Sequence, residues 1–340
     1  MVEVKSKLDN FFVGKQQYPF GDEIEKCLTF DSYEISTGLM EEQEGSYPVL
    51  LGFYTAGSKR MLRHTNLEGG QRILEIYPRS GILTLELLSK YPGVSVVGVE
   101  KSLGLQKIAR YKFNQDEDAE LKSISDPKLL EYWEKFRAES KKYRDQVQFI
   151  NADFEGVGLE EEDFDHAISN QGMHWMSLSN GLSNAFGQLR RFLKKNGDLF
   201  WTTSSHFYND PNLPTDVYGF KSNDFIRYVL EEVNKSIPIT GNYLDLSKPI
   251  HTLDSLREIS IAQGFETKQV ATYPIPVDLQ IFIKNHVPVI VRTLTPKDTS
   301  KEDLEKITQE AISKAITNPK ALADITHKYD VNPVFRSFRI

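Results

Sequence analysis

The chain has 340 residues, of which 39% are hydrophobic and 26% are charged, a balance typical of a globular protein and not of a disordered one. Its net charge of −7 disfavours a broad nucleic-acid surface, because phosphate binding draws on clustered Lys and Arg. A single cysteine, Cys27, excludes an intramolecular disulfide. No Cys/His group has the spacing of a zinc site, so we expect no metal.

No stretch approaches the roughly 20 apolar residues that a membrane span requires. The first residues, MVEVKSKLDNFF, also lack the apolar core of a signal peptide. We therefore expect a cytoplasmic protein without a membrane span.

Strand and helix patterns alternate from residue 72 onwards. RILEIY (72–77) predicts a strand, and GILTLELLSKY (81–91) predicts a helix that ends before Pro92-Gly93. VSVVGVE (94–100) is a near-continuous β-branched run, which is typical of a parallel strand buried on both faces. A second helix, GLQKIARYKF, follows it.

The same alternation continues to the end of the chain. Strands are predicted at 147–153, 164–171 and 198–205, with a helix before the last of these that Gly197 is expected to close. A later helix begins at the predicted N-cap Thr252, and two strand-like segments follow. The β-α-β order predicts an α/β fold: a doubly wound, mostly parallel, Rossmann-like sheet of seven strands with helical cap and lid insertions.

Segments outside this pattern define the predicted domain organisation. We expect an N-terminal helical or cap segment at 1–70 and a core at 71–205, with a charged helical insertion at 114–146 that starts at Asp126-Pro127. A lid insertion is predicted at 206–250. Residues 251–340 complete the core and carry a helical insertion at 285–325. Insertions at the carboxyl ends of parallel strands commonly cover a ligand.

Polar side chains follow the predicted strands where such sheets bind ligands. The first strand supplies Glu75 and the turn 77–81, and the second ends in Glu100, whose carboxylate could accept both ribose hydroxyls of an adenosine. The third ends in Asp153-Phe154, where a carboxylate could bind the adenine amino group and a ring could cover the base. The fourth ends in SNQGMHW, which brings polar groups and an imidazole to the same edge.

These motifs resemble the class I S-adenosylmethionine-dependent methyltransferases. EIYPRSG aligns with that family's glycine-rich first motif, VVGVEKS with the acidic end of strand two and NADF with the signature after strand three. AISNQGMHWM resembles the fourth motif of the small-molecule branch, of the trans-aconitate and juvenile-hormone-acid type. Four motifs in order over residues 72–205 are more specific than any one of them.

The resemblance implies transfer of a methyl group from the sulfonium of S-adenosylmethionine to oxygen, carbon or nitrogen of a small molecule by SN2 displacement. The enzyme then mainly aligns the reactants and excludes water. The cofactor-binding positions that it implies are Glu75, Tyr77, Arg79, Gly81, Glu100, Lys101, Asp153, Phe154, Asn170 and Gln171. His174 is the candidate base, with His206 as an alternative, and His174 and Trp175 are the candidate substrate contacts.

The first motif departs from the family at two positions. Glycines in this loop adopt positive φ and let the backbone approach the ligand, whereas this chain has Tyr77 and Arg79. One hypothesis is that Arg79 pairs with the methionyl carboxylate of the cofactor. The other is that these side chains narrow the site, so that the chain binds cofactor weakly or not at all.

Three other functions remain open from the sequence. The chain could methylate RNA or protein, or it could be a binding protein of this fold without catalysis. A Rossmann-type dehydrogenase is disfavoured, because EIYPRSG lacks that family's spaced glycines. A homodimer is left open.

Overall fold

A computed structural model of the protein describes part of the chain, and every structural statement below refers to that part. The described residues are 31, 34–35, 40–44, 47–116, 126–173, 176, 181–203, 208–209, 222–239, 251–276, 283, 287–288, 290–292, 294–296, 298–318 and 329–340.

The chain divides into two compact units. One, here called the helical unit, comprises Met1–Tyr33, Ser205–Ile250 and Pro274–Val331. The other, here called the sheet unit, comprises Glu34–Ser204, His251–Tyr273 and Asn332–Ile340. The domain boundaries expected from the sequence stay a prediction.

The elements have the following bounds. The strands are β1 Met40–Glu44, β2 Tyr47–Leu51, β3 Arg72–Ile76, β4 Ser95–Glu100, β5 Val147–Asn151, β6 Phe164–Asn170, β7 Leu193–Thr202, β8 Tyr208–Asn209, β9 His251–Thr252, β10 Phe265–Pro276 and β11 Tyr329–Arg339. The helices are α1 Phe53–Leu62, α2 Ile82–Lys90, α3 Leu103–Lys112, α4 Pro127–Ser140, α5 Gly181–Phe192, α6 Ser222–Asn234, α7 Leu253–Ala262 and α8 Lys301–Thr317.

A seven-stranded sheet organises the sheet unit. Its strand order is β10-β11-β7-β6-β3-β4-β5. Strands β3 to β7 run parallel, and β11 pairs antiparallel with β7. The chain builds outwards from β3 through β4 to β5 and then returns to place β6 on the other side of β3. The strand order therefore reverses between β3 and β6, and their carboxyl ends flank the crevice in which open α/β sheets bind ligands.

The sequence patterns explain why these elements form. The β-branched run of β4 is buried along almost its whole length, as expected for a strand covered on both faces. In the charged insertion, Asp126 caps α4 by accepting hydrogen bonds from the backbone N–H groups of Lys128 and Leu129, and Pro127 occupies the first turn. Thr252 caps α7 as predicted, by a reciprocal hydrogen-bond pair with Ser255.

The prediction that Gly197 ends a helix is wrong. Helix α5 ends at Phe192, and Gly197 lies within β7. Pairing with β6 already begins at Leu193 and resumes at Asp198 after an irregularity in the register. A Cβ at position 197 would lie 2.9 Å from the carbonyl oxygen of Asp165, so the glycine permits close strand contact at this irregularity.

The helical unit has an apolar core of its own. Helices α6 and α8 contribute buried side chains that include Phe225, Val229, Leu304 and Ile312. Helix α8 lies within the helical insertion that the sequence predicted at 285–325. None of the described helices is long and apolar enough to cross a membrane.

Candidate functional site

The loop between β3 and α2 has the positive φ values that glycine favours, although two of the positions concerned are not glycine. Tyr77 has φ 55°, Arg79 has φ 54° and Gly81, the N-cap of α2, has φ 84°. For residues other than glycine, this left-handed region costs about 1–2 kcal/mol each. Such strain persists only where the surroundings hold the backbone in place. The side chains thus differ from those of the resembling family, while the left-handed conformation is present.

Backbone hydrogen bonds hold this loop against β4. The N–H of Tyr77 donates to the carbonyl of Val99 at 2.9 Å, and the N–H of Arg79 donates to Oε2 of Glu100 at 2.9 Å. Both bonds reach the last two residues of the neighbouring strand, so the loop follows the carboxyl end of β4 closely.

The insertion helix α4 supports the same loop through a buried lysine. Lys112, at the end of α3, is fully buried, and its ammonium donates to Oγ of Ser80 at 3.4 Å. The ammonium lies over the rings of Phe136 and Tyr132 at 4.0 and 5.0 Å from their centroids. Cation–π contacts of this kind offset part of the cost of burying a charge.

A glycine lets the end of β6 approach the loop. A Cβ at Gly172 would lie 2.8 Å from the carbonyl oxygen of Ile76 and 3.2 Å from Cβ of Tyr77. The preceding Gln171 also has positive φ, at 55°. The β3 and β6 turns therefore meet closely at the point where the strand order reverses.

The side chain of Arg79 is engaged within the protein. Its Nη2 donates to the carbonyl oxygen of Gln171 at 2.6 Å, and its guanidinium lies 5.0 Å from the centroid of the Tyr54 ring. Arg79 thus links the β3 loop to the β6 turn and to α1. The hypothesis that Arg79 pairs with the methionyl carboxylate of a cofactor stays a prediction.

Glu75 is a buried acid that has no ion-pair partner in the part of the chain that the structure describes. Its side chain is fully buried, and its Oε2 accepts the hydroxyl of Thr84 at 2.6 Å. Its Oε1 is buried and has no hydrogen-bond partner among the described residues. Burial, opposed by the Thr84 hydrogen bond and reinforced by the charge of Glu100, raises the pKa of Glu75 to about 8.

Glu100 is the second buried acid of the site. Its Oε1 accepts the N–H of Ser102 at 2.9 Å, while its Oε2 accepts that of Arg79. Burial raises the pKa of Glu100, and the hydrogen bonds from these two N–H groups limit the shift. An ionised carboxylate has about four lone-pair positions, so acceptor capacity remains for a ligand.

Asp153 lies beyond the end of β5 and binds side chains from two other strands. Its Oδ1 accepts the Tyr77 hydroxyl at 3.3 Å, and its Oδ2 pairs with the ammonium of Lys101. Partial burial alone would raise the pKa of Asp153, but the hydrogen bond from Lys101 and that from the N–H of Glu155 lower it below its usual value. Both carboxylate oxygens are therefore engaged within the protein.

Two further predicted residues at this edge, Phe154 and Asn170, contact side chains of neighbouring elements. Phe154 is fully buried and packs edge-to-face on Phe192, with centroids 6.1 Å apart. The amide nitrogen of Asn170 donates to Oγ of Ser58 at 3.0 Å, and its Oδ1 accepts the hydroxyl of Thr202 at 2.7 Å. These contacts fix the end of β6 against α1 and β7.

The structure brings ten predicted positions to one edge of the sheet: Glu75, Tyr77, Arg79, Gly81, Glu100, Lys101, Asp153, Phe154, Asn170 and Gln171. Their roles as ligand contacts stay predictions. His174, Trp175 and His206 lie outside the described residues. The predicted base and the predicted substrate contacts are therefore not located.

Sequence reasoning missed Tyr54, Lys112 and Thr202, which contact the predicted residues. Tyr54 belongs to PVLLGFYTAG, an aromatic segment in which no residue was singled out. A lysine in the last turn of a helix ordinarily lies in solvent, where it interacts favourably with the helix dipole. Nothing in the sequence therefore predicted that Lys112 would be buried.

Two features of this edge fit an adenosyl cofactor with a cationic methionyl part. The orphan Oε1 of Glu75 offers a buried acceptor, and the carboxylate of Glu100 offers acceptors at the end of the adjacent strand. A buried polar atom without a partner is rare in proteins and is often explained by a ligand or by water. The residue types present are therefore compatible with that cofactor.

Comparison with known proteins agrees with an adenosyl-cofactor site at this edge of the sheet. Residues 74–201 match the family model described as a methyltransferase domain, Methyltransf_11. No curated protein sequence matches the chain. The matched segment spans β3 to β7 and so includes every strand end described above.

Three solved structures resemble the chain. The [4+2]-cyclase SpnF has a TM-score of 0.52 at 14% identity, with 93% of this chain and 94% of that chain covered. The YcgJ protein from Bacillus subtilis gives 0.46 at 14% identity, covering 84% and 98%. Geranyl diphosphate C-methyltransferase from Streptomyces coelicolor gives 0.44 at 11%, covering 84% and 79%. The likeness to the first is a likeness of fold.

The segment that matches the methyltransferase-domain model, residues 74–201, runs from β3 to β7 and so supplies the parallel strands of the seven-stranded α/β sheet. The predictions of the fold, of an enzyme of the S-adenosylmethionine-dependent methyltransferase type and of S-adenosylmethionine as its cofactor are confirmed. The resemblance to the trans-aconitate and juvenile-hormone-acid branch is not confirmed and stays a prediction.

Proposed function

We propose that the chain transfers a methyl group from S-adenosylmethionine to oxygen, carbon or nitrogen of a small-molecule acceptor. The observation that carries this proposal is the pair of buried acids, Glu75 and Glu100, at the reversal of strand order. Neither acid forms an ion pair among the described residues. Glu100 therefore leaves acceptor capacity for hydroxyl groups, and a positively charged ligand would favour the ionised form of Glu75, which burial alone disfavours.

The residues of this edge would each contact a different part of the cofactor. Glu100 would accept hydroxyls of the ribose, Glu75 would face the cationic methionyl part, and Asp153 with Phe154 would hold the adenine. When bound, the cofactor supplies an electrophilic methyl group. The chain's own residues would align the acceptor with that group and keep water out, which is the main catalytic task in such a transfer.

The remaining predicted contacts keep their proposed roles. Gly81 and Arg79 would approach the methionyl part, and Lys101, Asn170 and Gln171 would border the site. His174 would take a proton from an acceptor that arrives protonated, with His206 as the alternative, and Trp175 would contact the acceptor.

The acidic composition supports a small acceptor over a nucleic acid. A net charge of −7 gives RNA phosphates little to bind. The structure of similar fold described above, SpnF, is by name a [4+2]-cyclase, which is a reaction of small molecules. The cyclase is also a reminder that one fold supports several reactions, so acceptor and chemistry need a direct assay.

A second candidate function is ligand binding without catalysis. It is favoured by the contacts of Asp153, whose two oxygens already bind Tyr77 and Lys101. In this case the chain would bind S-adenosylhomocysteine weakly, and no acceptor would be methylated.

The test is a transfer assay with the full chain and S-adenosylmethionine labelled on its methyl group. Acceptors are offered separately as a metabolite extract, total RNA and a protein extract. The proposal expects label in the metabolite fraction, formed together with S-adenosylhomocysteine and lost in Glu100→Gln. Label only in RNA or protein would contradict a small-molecule acceptor. Cofactor binding with no transfer in any fraction would establish the binding-protein alternative.

A further inference from the structure

The Tyr77 side chain crosses the sheet edge from β3 to β5. It begins at the end of β3, and its hydroxyl lies 3.3 Å from Oδ1 of Asp153, beyond the end of β5. Strand β4 lies between these two strands. Because neighbouring strands are about 4.8 Å apart, the Tyr77 side chain and its hydrogen bond together bridge roughly two strand spacings, over the carboxyl end of β4.

That crossing places the ring beside Glu100, the last residue of β4. Burial, the charge and hydrogen bond of Asp153, and the charge of Glu100 all raise the pKa of Tyr77. The backbone N–H of Tyr77 is bonded to Val99, next to Glu100, and its hydroxyl is bonded to Asp153, so the side chain runs between the two carboxylates proposed above to bind the ribose and the adenine.

A second side chain occupies the other oxygen of Asp153. Lys101 extends from the residue after β4 and pairs with Oδ2 of Asp153, while its side chain stays mostly exposed. An exposed pair of this kind contributes little to stability and is easily exchanged. The Tyr77 contact is part-buried and comes from a side chain that is itself mostly buried.

Resting on the proposed function, we infer that Tyr77 occupies the adenosine part of the site, and that its hydroxyl must leave Asp153 before the cofactor binds. Tyr77 is then an affinity-determining residue: it lowers cofactor affinity relative to a glycine at the same position. Its positive φ is the conformation that glycine adopts without strain, so Tyr77→Gly keeps the backbone and removes the obstruction.

Calorimetric titration of S-adenosylhomocysteine into the full chain tests this inference without requiring turnover. Tyr77→Phe keeps the ring and removes only the bond to Asp153, so we expect the dissociation constant to fall about threefold to tenfold. Tyr77→Gly also frees the volume of the ring, and we expect a fall of about tenfold or more.

The matched control is Tyr91→Phe. The Tyr91 hydroxyl donates to the carbonyl of Thr65 at 2.7 Å, and Tyr91 lies at the far end of α2 from the loop, about 14 Å along the helix axis. This variant loses the same chemical group from a different place, so its dissociation constant should equal that of the wild type.

The outcomes separate the inference from the proposed function. If the wild type binds and both Tyr77 variants bind equally well or more weakly, the inference is overturned and the cofactor site survives. If the wild type and Tyr77→Gly both give no binding heat, the proposed function fails as well. Thermal unfolding of each variant without ligand checks folding, and Tyr77→Phe keeps the test decisive where Tyr77→Gly is unstable.

Discussion

The two ends of the central sheet hold their acids in different ways. Towards the amino ends of the strands, each of three aspartates pairs with a cation: Asp163 with Arg72 at 2.7 Å, Asp165 with Lys194 at 2.7 Å, and Asp198 with Arg336. At the carboxyl ends, Glu75 and Glu100 are more deeply buried and form no ion pair among the described residues. They are held by hydroxyl and backbone N–H groups instead.

This difference moves the pKa of Asp165 and the pKa values of the two glutamates in opposite directions. Burial alone would raise the pKa of Asp165, but the N–H of Arg72 and the ammonium of Lys194 lower it. Burial dominates at the other end and raises the pKa of Glu75 to about 8. The pKa of Glu100 is raised for the same reason.

The contrast indicates which end is adapted for a ligand. The amino end satisfies its charges internally and needs no further group. The carboxyl end keeps two acids in an environment that disfavours their ionised forms, at a cost to stability, and such perturbed groups cluster at functional sites. Among the described residues, three strained φ values, at Tyr77, Arg79 and Gln171, follow the carboxyl ends of strands, against one just before the amino end of a strand, at Glu162.

The largest expected effect concerns Glu75 and pH. The unfolded chain ionises this carboxyl near pH 4.5, whereas the folded protein holds the proton up to about pH 8. Unfolding between these values releases a proton, so the free energy of unfolding falls as pH rises through this window. Glu75→Gln removes the effect and should stabilise the protein by about 3 kcal/mol at pH 7, and by almost nothing at pH 4.

Urea denaturation of both proteins across pH 4–9 measures this difference. Parallel curves for wild type and Glu75→Gln would show that Glu75 ionises normally in the folded state, which would erase the contrast between the two ends. A Glu75→Gln variant that is more stable and yet binds S-adenosylhomocysteine more weakly would strengthen the contrast between the two ends. It would show that Glu75 lowers stability and raises ligand affinity.

The next effect is on ligand affinity at Glu100. Glu100→Gln keeps the size of the side chain and removes its charge, so a ribose hydroxyl loses a charge-assisted acceptor. We expect the dissociation constant of S-adenosylhomocysteine to rise about tenfold to a hundredfold by calorimetry, since hydrogen bonds to charged groups contribute about 1.5–3 kcal/mol. An unchanged constant would place the ligand elsewhere.

The smallest effect is expected at the amino end. Asp163→Asn breaks the pair with Arg72, whose side chain is 41% exposed, so the free energy of unfolding should fall by less than about 1 kcal/mol. The affinity for S-adenosylhomocysteine should not change. A loss of affinity as large as that of Glu100→Gln would mean that the two ends are not functionally distinct.

Local patterns predicted most of the sheet unit. The buried β-branched run of β4, the cap at Asp126 and the capping box at Thr252 each act within a few residues, and each is confirmed. The acids at the strand ends were also predicted to meet, because parallel strands bring their carboxyl ends to one edge.

Contacts between distant residues could not be predicted in this way. The Tyr77–Asp153 hydrogen bond joins residues 76 positions apart, and its existence depends on strand order. Gly197 was misassigned because a glycine after an amphipathic helix ordinarily caps it, whereas strand pairing here starts one residue after the helix. Tyr and Arg do not themselves favour positive φ, so at Tyr77 and Arg79 only the alignment with a glycine-rich motif pointed to the conformation, which the surrounding hydrogen bonds impose.

Hydrogen exchange with and without S-adenosylhomocysteine locates ligand binding along the chain. We expect protection of backbone amides in peptides covering 75–81 and 99–103, at the carboxyl ends of β3 and β4. Peptides covering 163–166 and 194–198, at the amino end, should exchange at unchanged rates. No protection in the first set, or equal protection in both, would contradict the assignment of the ligand site to the carboxyl end of the sheet.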